Sequence, residues 1–143
     1  MSKRRVLLLT LPLLVLLAAA VLVWFGLPRK TRVTIAVSGA PDLTIKGTFE
    51  IDGTPQEVTF TGSKDFEFEG YRVIYSFVST DDSGEFQVRP RSGGRTLMSG
   101  GSGNPPKFGI RGWVKSNWWG APPSDWYELF DRDKQTPWDK PPP

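Results

Sequence analysis

Residues 43–51, with the sequence LTIKGTFEI, alternate between apolar and polar side chains along most of their length. Side chains of a β-strand point alternately to the two faces of a sheet, whereas a helix would scatter this pattern around its axis. The stretch therefore predicts a half-buried strand whose inward-facing side chains are Leu43, Ile45, Phe49 and Ile51.

A turn and a second strand follow directly. Asp52 and Gly53 form a dipeptide suited to the positive φ angles of a tight hairpin. Residues 57–61, EVTFT, would return as the partner strand. Because Pro55 has no amide hydrogen to donate, we expect either a loop longer than two residues or an edge position for this strand.

The same alternation recurs on both sides of this hairpin. It is found in VTIAVS (33–38), DFEFE (65–69), YRVIYSFV (71–78) and EFQVR (85–89). In YRVIYSFV the second face is partly apolar as well, which indicates a central strand with Tyr71, Val73, Tyr75 and Phe77 inward. Six short strands with turn residues between them predict an all-β fold, either an antiparallel β-sandwich of immunoglobulin-like size or a small barrel. The cysteine pair of true immunoglobulin domains is absent, so this prediction concerns the fold class alone.

Residues 91–106, RSGGRTLMSGGSGNPP, are rich in glycine and serine. This composition is typical of a flexible loop, within which TLM is a candidate short strand. The glycines have neither of the two common phosphate-binding spacings.

Two further elements are predicted after this loop. The alternation of KFGIRGWV (107–114) favours a seventh strand, and SDWYELFDR (124–132) reads as a short amphipathic helix with Ser124 as its N-cap. Such a short helix needs a surface to lie on. We therefore expect a sandwich domain over 31–115 and a Trp/Pro-rich C-terminal extension over 116–143, ending in an extended segment.

The N-terminal region has a different character. Val6 to Leu27 contains 22 residues without a charge, and a helix of that length covers roughly 33 Å, against about 30 Å for the hydrocarbon core of a bilayer. This predicts a transmembrane signal-anchor helix over 6–28 that contacts the lipid bilayer through 6–27, preceded by a short cytoplasmic segment, 1–5. A cleaved signal peptide is the alternative, since 18–20 are three alanines, but the apolar run continues well beyond them.

Charge separates the two regions. Six of the 18 basic residues and none of the 15 acidic ones lie in 1–32, so the remainder carries 12 basic and 15 acidic residues, a net charge of −3. Basic residues flank the apolar run almost equally, and the short first segment favours export of the C-terminal domain to the periplasmic or extracellular side. Without a basic domain, nucleic-acid binding is not expected.

The chain has no cysteine and no histidine. Disulfides, thiol nucleophiles, imidazole bases and the commonest zinc ligands are thereby excluded. Asp81 and Asp82 lie in a turn-rich stretch that accounts for them, and the spacing of Asp131, Asp133 and Asp139 does not fit a calcium-binding EF-hand loop. We therefore assign no catalytic residue, no cofactor and no metal site.

Four of the six tryptophans lie between Trp113 and Trp126. Packing of the C-terminal segment against the sheet accounts for most of them. The adjacent Trp118 and Trp119 point in different directions in a strand or a helix, so both rarely enter one core. Aromatic side chains are enriched at interfaces, which makes Trp113, Asn117, Trp118 and Trp119 the candidate ligand- or partner-binding residues.

These observations predict a non-catalytic, membrane-anchored accessory or protein-interaction module of the cell envelope. The alternative is a module that binds an envelope glycan by stacking sugars on exposed tryptophans, and a weak hydrolase is a third reading. The partner would accordingly be an envelope protein or a glycan.

Overall fold

The computed structural model describes residues 3–80, 84–97, 108–118, 121–134 and 136–143, with only the course of the backbone for 3–11 and 108. Within these residues one helix precedes a series of strands. The elements are α1 (Lys3–Gly26), β1 (Thr31–Gly39), β2 (Thr44–Ile51), β3 (Thr54–Thr61), β4 (Lys64–Gly70), β5 (Arg72–Ser79), β6 (Phe86–Ser92), β7 (Arg95–Thr96), β8 (Phe108–Lys115) and β9 (Ser124–Asp131).

The strands form two antiparallel sheets, which confirms the predicted all-β fold and is consistent with a β-sandwich. One sheet has the order β4-β1-β6-β7 and the other the order β3-β2-β5-β8-β9. In an immunoglobulin constant domain the first two strands share a sheet, whereas here β1 and β2 lie in different sheets. The likeness to an immunoglobulin domain is therefore one of size.

A core of alternating apolar residues joins the two sheets. Phe49 of β2 is its aromatic centre, with ring centroids 4.9 Å from Phe66, 4.5 Å from Phe68 and 5.2 Å from Phe77. Since Phe66 and Phe68 belong to β4, these contacts cross from one sheet to the other. The inward positions predicted for the opening stretch are confirmed, with Leu43, Ile45 and Phe49 at most 3% exposed.

The hairpin between β2 and β3 has a two-residue loop. Asp52 and Gly53 have φ angles of 49° and 88°, and Ile51 pairs with Thr54. The expectation of a longer loop is thus wrong, and the alternative is correct, because β3 is an edge strand that tolerates Pro55.

β5 is the central strand of its sheet, as its two partly apolar faces predicted. Val73, Tyr75 and Phe77 are buried, and burial raises the pKa of the Tyr75 hydroxyl well above its ordinary value, with further increases from Asp125 and Tyr127. Tyr71, predicted to point inward, is 45% exposed because it precedes the first residue of β5.

The segment predicted as a C-terminal helix is a strand, and this correction alters the sheet. β9 pairs with β8 along its full length, from Lys115 opposite Ser124 to Phe108 opposite Asp131. An isolated helix this short is marginal in water, whereas the strand gains a ladder of backbone hydrogen bonds on an otherwise open edge. Because β9 carries apolar residues on both faces, its sequence does not show the alternation of apolar and polar side chains that predicts a strand.

The predicted seventh strand is confirmed as β8. Ile110 and Val114 enter the core, and Gly112 allows the Tyr75 ring to approach the strand. A Cβ atom at Gly112 would collide with the Tyr75 hydroxyl and with the Trp126 carbonyl. Arg111 and Trp113 point away from the core, to the outer face of the five-stranded sheet.

Part of the glycine-rich stretch, predicted as a flexible loop, forms strands. Its first residues extend β6 to Ser92 and return as β7, with Gly93 and Gly94 at φ angles of 56° and 77° in the turn. The rest of the stretch, 98–106, and the acidic pair Asp81 and Asp82 lie outside the described residues.

The helix α1 is 24 residues long and contains Pro12. Its apolar side chains are exposed, for example Leu13 at 63%, Leu16 at 68% and Leu22 at 74%. Among the described residues, no helix combines the length and the apolarity that crossing a membrane requires.

Candidate functional site

The outer face of β8 and β9 carries a buried ion pair. Arg111 and Glu128 lie opposite each other in the ladder. Glu128 Oε1 accepts a hydrogen bond from Arg111 Nε at 2.6 Å and lies 2.5 Å from Arg111 Nη2. Their side chains are only 12% and 6% exposed. A hydrogen bond between two ionised groups is stronger than one between neutral groups.

Two more donors reach the other oxygen of Glu128. Trp126 Nε1 donates to Oε2 at 3.3 Å, and the Asp139 amide donates to the same atom at 2.9 Å. Burial by itself raises the pKa of Glu128, but these hydrogen bonds and the Arg111 charge outweigh it and hold the pKa below its ordinary value. The carboxylate is kept ionised, whereas a general acid needs a raised pKa.

The chain covers this face with its own residues 136–143, here called the tail. Arg111 donates to the carbonyl oxygens of Thr136 at 3.0 Å and Pro137 at 2.8 Å. Trp113 Nε1 donates to the Lys140 carbonyl at 3.1 Å. Arg72 of the central strand donates to the Pro143 carbonyl at 2.9 Å, so the tail is tied down along its length.

Cations and aromatic rings alternate beneath and within the tail. The Arg111 guanidinium lies 4.5 Å from the Trp138 ring centroid and 5.0 Å from that of Phe130. Lys140 Nζ lies 5.6 Å from the Trp113 ring and 5.3 Å from the Trp126 ring. These contacts agree with the expectation that most tryptophans pack the C-terminal segment against the sheet, and they do so on its outer face.

A second aromatic group surrounds the point where α1 joins the sandwich. Trp118 is 61% exposed, and its backbone forms a bridge with Pro28, two residues after the helix ends. Lys30 Nζ lies 5.9 Å from the ring of the exposed Tyr71. Ser116 donates both its amide, at 2.8 Å, and its hydroxyl, at 3.1 Å, to the Tyr71 carbonyl. We call residues 28–30, 71 and 115–118 the helix-proximal end.

The four candidate residues have different surroundings. Trp113 is 4% exposed under the tail. Asn117 donates to the Pro122 carbonyl at 2.6 Å and to Ser124 Oγ at 3.1 Å, and thereby orders the connection between β8 and β9. Trp118 projects into solvent, and Trp119 lies outside the described residues. The structure therefore brings Asn117 and Trp118 to one end of the sandwich and places Trp113 under a cover.

Sequence reasoning missed two features of these surfaces. The first is the exposure of Tyr71, which Gly70 could have indicated, because this glycine interrupts the alternating pattern just before Tyr71. The Arg111–Glu128 pair had no local signal, because the two residues meet only when β9 is a strand in this register.

The carboxylates do not gather into a metal site in the part of the chain that the structure describes, where no cluster of three or more acidic side chains occurs. Asp131, one of the residues weighed for calcium, instead pairs with Lys134 at 3.3 Å and accepts the Asp133 amide at 3.0 Å.

Comparison with protein-family models, with curated proteins and with solved structures finds no match to this chain.

Proposed function

We propose that this protein is a non-catalytic accessory or interaction module of the cell envelope, anchored in a membrane by residues 6–27 and carrying its sandwich on the exported side. The observation that carries the proposal is the apolar surface of α1. Five consecutive residues, Leu13 to Leu17, are each 62–68% exposed. At about 100° per residue they cover the whole circumference of the helix, which is typical of a helix surrounded by lipid and not of one packed on a sheet by a single face.

Length and charge also support an anchor. The side chains that the structure describes in α1 begin at Pro12, but the uncharged apolar run begins at Val6. The run of 22 residues matches the hydrocarbon thickness of about 30 Å, and basic residues flank it on both sides.

The hydrogen bonding and the lowered pKa of Glu128 support a non-catalytic role. Glu128 lies beside a cleft that also contains Arg111, Asp131 and Lys134. Its carboxylate accepts three hydrogen bonds and pairs with Arg111, and these contacts lower its pKa, which does not favour a role as a general acid.

The glycan-binding alternative is supported less well. It requires Trp113 and Asn117 to contact the sugar. Trp113 is covered by the tail, and the Asn117 side-chain amide already donates to the Pro122 carbonyl. Only the exposed ring of Trp118 remains, among the described candidates, for stacking on a sugar.

The absence of cysteine makes the proposal directly testable. We expect Asp42→Cys, in the exposed turn between β1 and β2, to react with a membrane-impermeant maleimide on intact cells. Ser2→Cys should react only after lysis. The full chain should stay in the membrane pellet during alkaline carbonate extraction.

A matched variant, Leu16→Asp with Leu17→Asp, should move the chain to the supernatant, because charges inside a bilayer are costly. Recovery of the unmodified chain in the supernatant contradicts the anchor. Protection of Asp42→Cys on intact cells contradicts the proposed orientation.

A further inference from the structure

We infer that the helix-proximal end of the sandwich rests on the lipid surface and prefers anionic lipid, with Trp118 and Tyr71 as interfacial anchors. The inference rests on the proposed membrane anchor and adds the surface by which the exported domain meets the bilayer. It would hold the sandwich in one orientation instead of leaving it on a free tether.

The tether is too short to let this end leave the membrane. α1 ends at Gly26 and β1 begins at Thr31, so four residues join them. A fully extended chain covers at most about 3.6 Å per residue, which gives roughly 14 Å here. The headgroup layer beyond the hydrocarbon core is about 5–8 Å deep on each side. Even fully extended, the tether thus keeps the start of β1 within about 6–9 Å of the outer edge of the headgroup layer when α1 spans the bilayer.

The contacts at this end hold the tether against the sandwich. The backbone bridge between Pro28 and Trp118 fixes the tether beside the β8–β9 connection. Lys30 lies over the Tyr71 ring, and Ser116 is bonded to the Tyr71 carbonyl. One continuous patch therefore runs from the end of the helix to Trp118.

The exposed side chains of this patch have the chemistry of the membrane interface. Trp24 is 63% exposed at the end of the apolar run, with the Arg29 guanidinium 5.5 Å from its ring. Trp118 and Tyr71 are exposed at the adjacent end of the sandwich. Tryptophan and tyrosine favour the headgroup level, because each combines an apolar ring with a polar atom.

Charge favours an anionic surface. Lys30, Arg32 and Lys115 are exposed at this end. Of the carboxylates nearby, Glu50 pairs with Arg72 at 2.9 Å and Asp52 accepts the amides of Tyr71 and Arg72. Glu69, opposite Arg32 in the ladder, is exposed. Asp125 also interacts within the protein. The exposed cations Lys30, Arg32 and Lys115 thus outnumber the exposed Glu69 at this end, and each basic residue near an anionic bilayer strengthens the attraction.

Spin labels on single cysteines in the full chain test this inference. We would label Trp118→Cys and Tyr71→Cys as reporters, Leu17→Cys in the anchor, and Asp42→Cys at the opposite end of β1, roughly 30 Å away along the strand. The chain is reconstituted into vesicles of zwitterionic phosphatidylcholine, with or without 30% phosphatidylglycerol. Collision rates with oxygen and with a water-soluble nickel chelate give the ratio that reports lipid exposure.

With phosphatidylglycerol present, we expect the oxygen-to-nickel ratio at both reporters to exceed that at Asp42→Cys at least threefold. Removing the anionic lipid, or combining Lys30→Ala with Lys115→Ala, should lower the ratio at the reporters and leave that at Leu17→Cys unchanged. Two reporters are used so that a local effect of one substitution is recognised.

The outcomes separate the two proposals. A water-exposed label at Leu17→Cys overturns the anchor and the inference with it. A lipid-exposed Leu17→Cys together with reporters as accessible to nickel as Asp42→Cys overturns the inference alone. Loss of label mobility at Tyr71→Cys, which retains the Trp118 ring, on adding soluble glycan fragments, with no lipid protection, would replace the lipid surface by a carbohydrate.

Discussion

The two tryptophan-bearing surfaces of this protein differ in what covers them. On the outer face of β8 and β9, Trp113 is 4% exposed, and its indole nitrogen donates to the tail. At the helix-proximal end, Trp118 is 61% exposed only five residues later in the chain. The difference teaches that aromatic density in a sequence does not identify a binding surface until the covering segment is known.

The covered face and the open end also differ in how their charges are used. Arg111 and Lys140 are each held between two aromatic rings, and Arg111 also binds a carboxylate. Lys30 and Lys115 are exposed cations at the surface of the sandwich. We therefore expect substitutions on the covered face to alter stability and those at the open end to alter association.

The largest expected effect is a difference in the free energy of unfolding between a variant at Trp113 and one at Trp118. Trp113→Ala removes a buried ring and its hydrogen bond to the tail, and should lower the free energy of unfolding by about 3–5 kcal/mol. Trp118→Ala removes an exposed ring and should change it by about 0.5 kcal/mol or less. Urea unfolding of the full chain in mild detergent, followed by near-ultraviolet circular dichroism, measures both. Equal losses for the two variants would abolish the distinction between the surfaces.

The next effect concerns the ion pair under the tail. Arg111→Met leaves Glu128 buried without its cation and should cost about 3 kcal/mol. The exposed pair of Lys134 and Asp131 is the control, and Lys134→Met should cost about 0.5 kcal/mol or less. Adding Glu128→Leu to Arg111→Met should recover part of the loss, because it removes the uncompensated charge. A loss for Arg111→Met no larger than the control would show that the pair does not stabilise the covered face.

The smallest expected effect is the pH dependence of stability that Glu128 contributes on the covered face. The folded-state pKa of Glu128 lies below its ordinary value of 4.5. The group therefore stabilises the fold fully above about pH 4.5, and this contribution is lost as the pH falls through the lower folded pKa.

Urea midpoints measured between pH 6 and pH 3 should accordingly fall more steeply for the unmodified chain than for Glu128→Gln. Glu57→Gln, at an exposed position of the edge strand β3, should keep the slope of the unmodified chain. Identical slopes for all three proteins would mean that the pKa of Glu128 is not linked to folding.

Much of the fold followed from the residues themselves. The period of two placed Ile45 and Phe49 of β2 and Val73, Tyr75 and Phe77 of β5 inward correctly, and it failed at Tyr71, which precedes β5. The assignment failed at β9, where Trp126 and Phe130 lie on one face and Tyr127 and Leu129 on the other. A segment that is apolar on both faces carries no readable period, and pairing with β8 decides its structure.

The candidate surface was only partly predictable for a related reason. The argument that adjacent tryptophans rarely enter one core predicted that Trp118 and Trp119 are not both buried, and Trp118 is exposed. The burial of Trp113 depends on a tail more than twenty residues further along, whose proline-rich sequence gave no sign of docking. Contacts of this kind are long-range and leave no local pattern.

The tail is held mainly through its backbone carbonyls, those of Thr136, Pro137, Lys140 and Pro143. Proline has no amide hydrogen, so this segment accepts hydrogen bonds readily and offers few of its own. The fixed φ of each proline also restricts the undocked chain, which reduces the conformational entropy lost when the segment settles on the sheet. The side chain of Thr136 can therefore vary with little loss of docking, whereas replacing Pro137 or Pro143 gives up the restriction of φ, and replacing Trp138 or Lys140 removes ring contacts with the sheet.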